Sequence, residues 1–304
     1  AITLLISIGS ASRFSLSLGE GDADRAAQAV GNALAMMVLF GILYTLCIEI
    51  FLVPLLNAFG ATQDVLPYAI EYTRITAVGM PLLIITNGMS NLARADGSPN
   101  YSMMCMLIGA IINTILDPLF IFKFHMGVRG AAFATVIGQF FSFLMALYYV
   151  KKFTHIRLKK QHFILKPQVC LNIASLGMSN CLNQVAITFV QIVMNNSMTY
   201  YGAKTIYGSE IPLAASGIVM KTNGILLSVI IGLSQGSQPI IGFNYGAKQY
   251  DRVRGIYRLA ISCNLVVSAI GFVLFQFFPK QIIALFGTGD ELYFTFAVRF
   301  MRIF

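Results

Sequence analysis

An all-α, polytopic transmembrane helical bundle of two parallel-repeat six-helix lobes is the fold class this sequence predicts, on three observations. Hydrophobic residues make up 57% of the 304-residue chain, only 11% are charged, and the mean hydropathy is +0.75. A soluble domain carries about 25% charged residues, so too little polar side chain is present to cover a water-soluble globule. The apolar residues gather into runs of about 20 or more, the length of a membrane-crossing helix. Finally, one helix with both of its flanking loops recurs later in the chain at a fixed register.

The apolar runs predict a partial helix over 1–18 and full helices over 30–56, 71–93, 100–123, 127–150, 168–200, 213–244 and 255–279. A last helix starts near 292. The opening "AITLLISIGSAS" lacks a Met and is already apolar. It has none of the basic lead of a signal peptide, and the chain reads as a segment truncated at both ends.

Loop charge sets the orientation. One alternating set of loops carries thirteen Lys/Arg, including Arg25, Arg94, Lys151, Lys152, Arg157, Lys159, Lys160, Lys166, Lys248 and Arg252. The opposite set carries four, Lys123, Arg129, Lys204 and Lys280. Lys/Arg bias marks the cytoplasmic side, so the first set, with the loop 151–167, is expected in the cytoplasm. The net charge of +9 is then a signature of topology, and no nucleic-acid partner is expected. The bilayer itself is the expected surroundings.

The internal repeat pairs "LGEGDADRA" with "YGAKQYDRV" and "NAFGATQDV" with "ALFGTGDEL". Gly19 meets Gly246, Asp24 meets Asp251, Phe51 meets Phe278, Phe59 meets Phe286 and Gly60 meets Gly287, a constant offset of 227 residues. An even number of spans between the copies makes the repeat parallel, about an axis along the membrane normal, as in one plan for transporters. The expected organisation is a lobe over 1–150, a connecting cytoplasmic loop over 151–167 and part of a second lobe over 168–304.

Asp117 stands out as the acid in the otherwise apolar or weakly polar stretch from Tyr101 to Phe122. A carboxylate at mid-membrane costs about 2.5 to 3.5 kcal/mol on insertion scales and marks ion paths and proton relays. Asn113, four residues earlier, projects from the same helix face, and its amide can pair with either protonation state of an acid. Pro118 lacks an N–H, frees the Thr114 carbonyl and permits a kink. On the next helix Gly130, Ala134 and Gly138 form a stripe of small residues that lets helices approach closely, and Thr135 beside it offers a hydroxyl to Asn113 and Asp117. The alternative is that Asp117 only fixes helix packing. Glu49, late in its helix, is expected to reach the outer interface.

Four segments together carry a resemblance: "NLARADGSPNYS", "NTILDPLFIF", "GVRGAAFATVIGQ" and "GLSQGSQPIIGFNYGAK". The combination resembles the MATE family, the multidrug and toxic compound extrusion transporters, above all its bacterial branch with the staphylococcal pump and DinF-like proteins. The likeness runs from the end of the family's second helix to the start of its tenth. It implies secondary transport of cationic amphipathic drugs out of the cell, in exchange for protons or sodium, by a monomer in the bacterial inner (plasma) membrane. It implies no cofactor. Residue by residue, Asn113, Asp117 and Thr135 resemble the family's N-lobe proton network, and Tyr72 resembles a further aromatic member of it. The family's first-helix aspartate has no counterpart here.

In the second half the polar groups are neutral. Asn180, Asn183, Gln184 and Gln191 share one helix and are candidates for a substrate cavity, with Met194 and Met220 as adaptable apolar walls. The resemblance implies a glutamate on this helix for cation coupling in some family members. None is present here, which weakens a sodium site in this half, and the expected coupling is to protons through Asp117. Lys221 either faces the cleft, where it would compete with a cationic substrate, or snorkels to the outer interface, the reading its place near the start of the span favours.

An enzyme is not expected. The five cysteines and three histidines show no metal-ligand spacing, and neither GxSxG nor HExxH occurs. Sodium-coupled efflux, and flipping of a lipid-linked precursor, are the alternative transport readings; a channel fits the halved repeat less well than alternating access.

Overall fold

The computed structural model describes residues 1–58, 66–208, 210–286 and 290–303, and it is helical throughout its regular structure. In chain order the helices are α1 (Ile2–Gly19), α2 (Ala23–Ala58), α3 (Leu66–Ala95), α4 (Pro99–Pro118), α5 (Gly127–Val150), α6 (Pro167–Gly202), α7 (Glu210–Gly246), α8 (Tyr250–Phe277), α9 (Pro279–Ala284) and α10 (Glu291–Ile303). Among the described residues, eight helices are long and apolar enough to cross a membrane. In hydrocarbon every backbone polar group needs an internal partner, and helices supply it.

The helices begin earlier than the hydropathy runs predict, at 23 instead of 30, at 66 instead of 71 and at 250 instead of 255. Hydropathy sees the part of a helix that lies in lipid. The added turns are polar, as in "ADRAAQ" of α2 and "YDRVR" of α8. They carry Asp24 and Asp251 in the first turn, where a carboxylate suits the helix dipole. The predicted span over 255–279 corresponds to α8, which ends at Phe277; a short helix, α9, follows after a break at Phe278.

The repeat is reproduced bond for bond. At the end of α1, the Asp22 N–H donates to the Ser17 carbonyl (3.0 Å) and the Gly21 N–H to that of Leu18 (3.1 Å). At the end of α7, Gln249 donates to Asn244 (2.8 Å) and Lys248 to Tyr245 (3.0 Å), at the same 227-residue offset. These pairs close the helix through a left-handed residue, Gly21 at φ +80° and Lys248 at φ +58°. The break also recurs. α2 is kinked at Phe51 (φ −104°, ψ 18°), three residues before Pro54, and its counterpart Phe278 (φ −121°, ψ 29°) separates α8 from α9. The further pairs, Phe59 with Phe286 and Gly60 with Gly287, involve positions outside the described residues.

The chain packs as two compact units, Ala1–Cys181 with Gly242–Gln249, and Leu182–Ile241 with Tyr250–Phe304. In the first, buried Ile6, Phe14, Val30, Met37, Met89, Leu92, Tyr149 and Ile173 form the core. Its helices meet at glycines. A Cβ on Gly9 would strike the Ile173 carbonyl, and one on Gly177 the Leu5 carbonyl. Gly19 and Gly246 face each other in the same way, each against a carbonyl of the other helix, Phe243 and Leu16. Those two carbonyls are themselves repeat partners. In the second unit Ala215, Val219, Ile283, Ala297 and Met301 are the buried cluster.

The basic segment after α5 is held down at two places in the first unit. Buried Asp96 accepts from the Tyr149 hydroxyl (2.8 Å) and the Thr154 N–H (2.9 Å), and pairs with His155 Nδ1 (2.9 Å). Asn32, fully buried, donates to the His162 carbonyl (3.0 Å) and accepts from the Lys166 N–H (2.7 Å). The His162 ring meets Asp24 at 3.1 Å. A short 3-10 turn, Lys160–Phe163, is thereby seated on α2.

Two stability changes are expected, both read as thermal unfolding of the full-length protein in detergent. Asn32→Ala leaves the His162 carbonyl and Lys166 N–H unpaired and should destabilise by about 1–3 kcal/mol. Lys248→Gly should raise stability by about 1 kcal/mol, since a left-handed residue other than glycine costs that much.

Candidate functional site

The polar constellation in the first unit lies where α3, α4 and α5 meet. Gly109 of α4 and Gly138 of α5 touch backbone to backbone, because a Cβ on Gly138 would run into the Gly109 carbonyl. Ala134 and Gly130 of the same stripe are buried, and Gly130 rests on Phe120. This contact brings two polar side chains together across the helices: Asn113 Nδ2 donates to Thr135 Oγ1 at 3.4 Å, while the Thr135 hydroxyl donates to the Ala131 carbonyl at 2.9 Å.

Asp117 stands one turn further along α4. Its side chain is half-buried, and its Oδ1 is shielded from solvent with no hydrogen bond among the described residues. The expected pairing of the Asn113 amide with this carboxylate is therefore not formed; the amide turns to Thr135. Leaving a buried acceptor unmatched costs about 1–3 kcal/mol, and more for a charged group. Pro118 acts differently from the expected kink. α4 stays α-helical up to Pro118 and then widens into a π-helical turn, Leu119–Lys123, closed by the Phe124 N–H to the Leu119 carbonyl (3.1 Å). Losing one N–H shifts the hydrogen-bond register by a residue, and π turns of this kind often sit at functional sites.

A cavity of about 190 Å³ opens beside Asn113 and Thr135. Thr86 and Asn87 of α3 and Gln139 and Ser142 of α5 also line it. The sequence reading missed these four. Thr135, Gln139 and Ser142 are spaced i, i+4 and i+7, a polar stripe on one helix face inside a helix otherwise read as apolar. Gln139 Oε1 is buried without a hydrogen bond among the described residues, pressed against the backbone of Gly79.

Tyr72 is not a wall of this cavity. It is 38% exposed, near the start of α3, fourteen residues from Thr86. Glu49 pairs with Arg74 at 3.4 Å. Its repeat counterpart Gln276 donates to the Arg302 carbonyl at 2.8 Å, so both copies tie the corresponding helices, one by charge and one by an amide. Arg129 pairs with Glu71 across α5 and α3.

The second set of candidates is divided between the two units. Asn180 belongs to the first, and Asn183, Gln184, Gln191, Met194 and Met220 to the second. Asn183 and Gln191 are exposed; Gln184, Met194 and Met220 are half-buried. The Gln184 carbonyl accepts from Thr188 at 2.9 Å. Lys221 is exposed and lies eleven residues into α7, deeper than expected because the helix starts at Glu210. Among the described residues no group of His, Cys, Asp or Glu has a metal-binding arrangement.

The Asn113–Thr135 contact has a measurable weight. Thr135→Val keeps the shape and removes the hydroxyl, and should cost about 0.6 kcal/mol, the mean for a hydrogen bond between membrane helices. Thr114→Val, whose hydroxyl returns to Ala110 of its own helix, should cost less in the same unfolding assay.

A sequence model of the MatE family matches residues 1–119 and 172–304. The probable multidrug resistance protein YoeA of Bacillus subtilis is 23% identical over 300 residues, covering 95% of this chain and 63% of its own length. A protein of Shewanella oneidensis named as an FAD transporter is 25% identical over 313 residues, 96% of this chain and 64% of its own. The multidrug export protein MepA of Staphylococcus haemolyticus is 27% identical over 233 residues, 76% and 50%. Among solved structures, an outward-facing multidrug resistance MATE transporter of the MOP superfamily superposes with a TM-score of 0.90 at 21% identity, covering 99% of this chain and 66% of that one. A MOP superfamily transporter from Pyrococcus furiosus gives 0.89 at 20%, with the same coverage. The chain thus spans about half to two thirds of the length of these relatives. With the family's sequence model covering most of its residues and the fold agreeing over nearly all of them, the chain belongs to the MatE family of membrane transporters.

Proposed function

We propose that this chain is the larger part of a secondary multidrug exporter that expels cationic amphipathic compounds against an inward flow of protons, with Asp117 as the proton carrier. The observation that carries the reading is the buried, unmatched Oδ1 of Asp117, one turn from Asn113 and its Thr135 partner. An acid placed within a membrane helix is by default a functional group, and proton relays are built from such residues. Protonation removes the charge and lets the acid act as a donor, so the π turn beside it has reason to repack. Release of the proton on the other side restores the first state.

The cavity at Asn113 and Thr135, one helical turn from Asp117, is lined by neutral amides and hydroxyls, with Met106 and Leu83. That lining suits a cation better than an anion, which would need basic groups. Among the relatives, names for multidrug export and for FAD transport both occur, so the substrate class is part of the test. Two lobes, 1–150 and 168–304, joined by the basic segment 151–167, would rock about the parallel repeat. The charge bias of the loops orients that segment to the cytoplasm of a bacterial inner membrane, with the transporter working as a monomer and without a cofactor.

The full-length protein in proteoliposomes decides between these readings. Wild type should drive uptake of an ethidium-like dye when a proton gradient is imposed, and Asp117→Asn should lower the rate at least about tenfold, which is 1.4 kcal/mol, while insertion and unfolding temperature stay unchanged. Undiminished transport by that variant would overturn the coupling role. Transport of FAD in place of the dye would overturn the substrate class, and dependence on a sodium gradient alone would replace the proton.

A further inference from the structure

We propose a specific binding site for an anionic phospholipid of the cytoplasmic leaflet on the outer face of the first unit, distinct from the transport cavity. An apolar groove of about 850 Å³ runs between α2, from Leu34 to Ile42, and α5, from Phe143 to its C-cap Lys151, with Ile85 of α3 in its floor. Leu34 and Ile85 are buried beneath it, while Val38, Leu39 and Leu147 stand exposed along its sides. Each wall spans nine residues, a rise of about 12 Å. That is close to the depth of one leaflet, half of a hydrocarbon core of about 30 Å. A covering protein helix would call for a groove that continues across the full thickness; an acyl chain needs only this much.

The mouth of the groove has the chemistry of a headgroup site. Lys151 ends one wall, and Phe163 of the anchored 3-10 turn closes the other side. Lys151 is exposed and, among the described residues, has no ion-pair partner. Tyr148, 61% exposed, sits one turn inside it, where its ring meets the acyl boundary and its hydroxyl the interface. Ile164 and Leu165 beside Phe163 are also exposed, between Lys160 and Lys166. Apolar tips flanked by lysines place this turn at the lipid surface, and the cytoplasmic leaflet is the one rich in anionic lipid. Because Asn32 and Asp96 pin the segment from both sides, the basic residues hold a fixed position over the groove. One phosphate at Lys151 with its chain lying along Val38 and Leu147 satisfies both halves of the site.

The test uses the full-length protein in phosphatidylcholine vesicles with a trace of phosphatidylglycerol that bears a photoreactive diazirine in its acyl chain. Adducts are expected on peptides carrying Val38, Leu39 or Leu147, and an excess of unlabelled phosphatidylglycerol, but not of phosphatidylcholine, should abolish them. Lys151→Gln should lower their yield about fivefold, the weight of one basic residue at an anionic surface, and Ala35→Trp should do so by filling the groove. If Ala35→Trp fails to fold, Lys151→Gln, a change at an exposed side chain, still discriminates. Adducts spread evenly over the lipid-facing helices, or competed equally by both lipids, would leave only an ordinary lipid annulus. Adducts absent from these peptides while other lipid-facing helices are labelled would show the groove to be closed to lipid by protein. Each of those results overturns the proposal.

Discussion

Helices immersed in lipid are not pressed together by the hydrophobic effect, because the tails around them are as apolar as their own side chains. Their association in the first unit depends on close backbone contact at glycine. Gly9 and Gly177 bring α6 onto α1, Gly19 and Gly246 bring the end of α7 onto it, and Gly109 and Gly138 join α4 to α5. Each contact sets a bare carbonyl against a position where a single methyl group has no room. The third of these contacts is also what draws Asn113 within reach of Thr135, so the polar site is a consequence of the packing.

The Gly19 and Gly246 contact has a further property. Each glycine meets a carbonyl, Leu16 or Phe243, that is the repeat counterpart of the other. A parallel repeat about an axis produces this self-matching contact wherever corresponding helices touch on that axis. The geometry around it is conserved between the copies down to the paired N–H groups of Asp22 and Gln249, and the left-handed turn is kept even where lysine takes the place of glycine. Retaining a strained Lys248 indicates that the turn is set by the tertiary contact and not by local preference.

Polar chemistry inside the first unit falls into two kinds. Asp96 is fully paired, by a hydroxyl, a backbone N–H and an imidazole, and such a carboxylate serves as an anchor. Asp117 is not: among the described residues its buried Oδ1 has no hydrogen bond. The difference in function proposed for the two acids follows from this difference in surroundings.

The sequence alone determined the helical membrane class, the order of the spans and the repeat, because these depend on hydropathy and on register, which are properties of residues in line. It also singled out Asp117, Asn113 and Thr135, since an acid in an apolar run is conspicuous without any coordinates. Only the tertiary structure decided how these are used. It turned Asn113 toward Thr135, set Tyr72 apart from the cavity, and brought in Thr86, Asn87, Gln139 and Ser142 from two helices. Such choices rest on rotation of each helix about its axis and on the level at which neighbours cross, and hydropathy carries neither. The same holds for helix ends. Polar first turns such as Asp24–Arg25 look like loop to a hydropathy scale, yet they continue the helix because packing and capping beyond the lipid satisfy them.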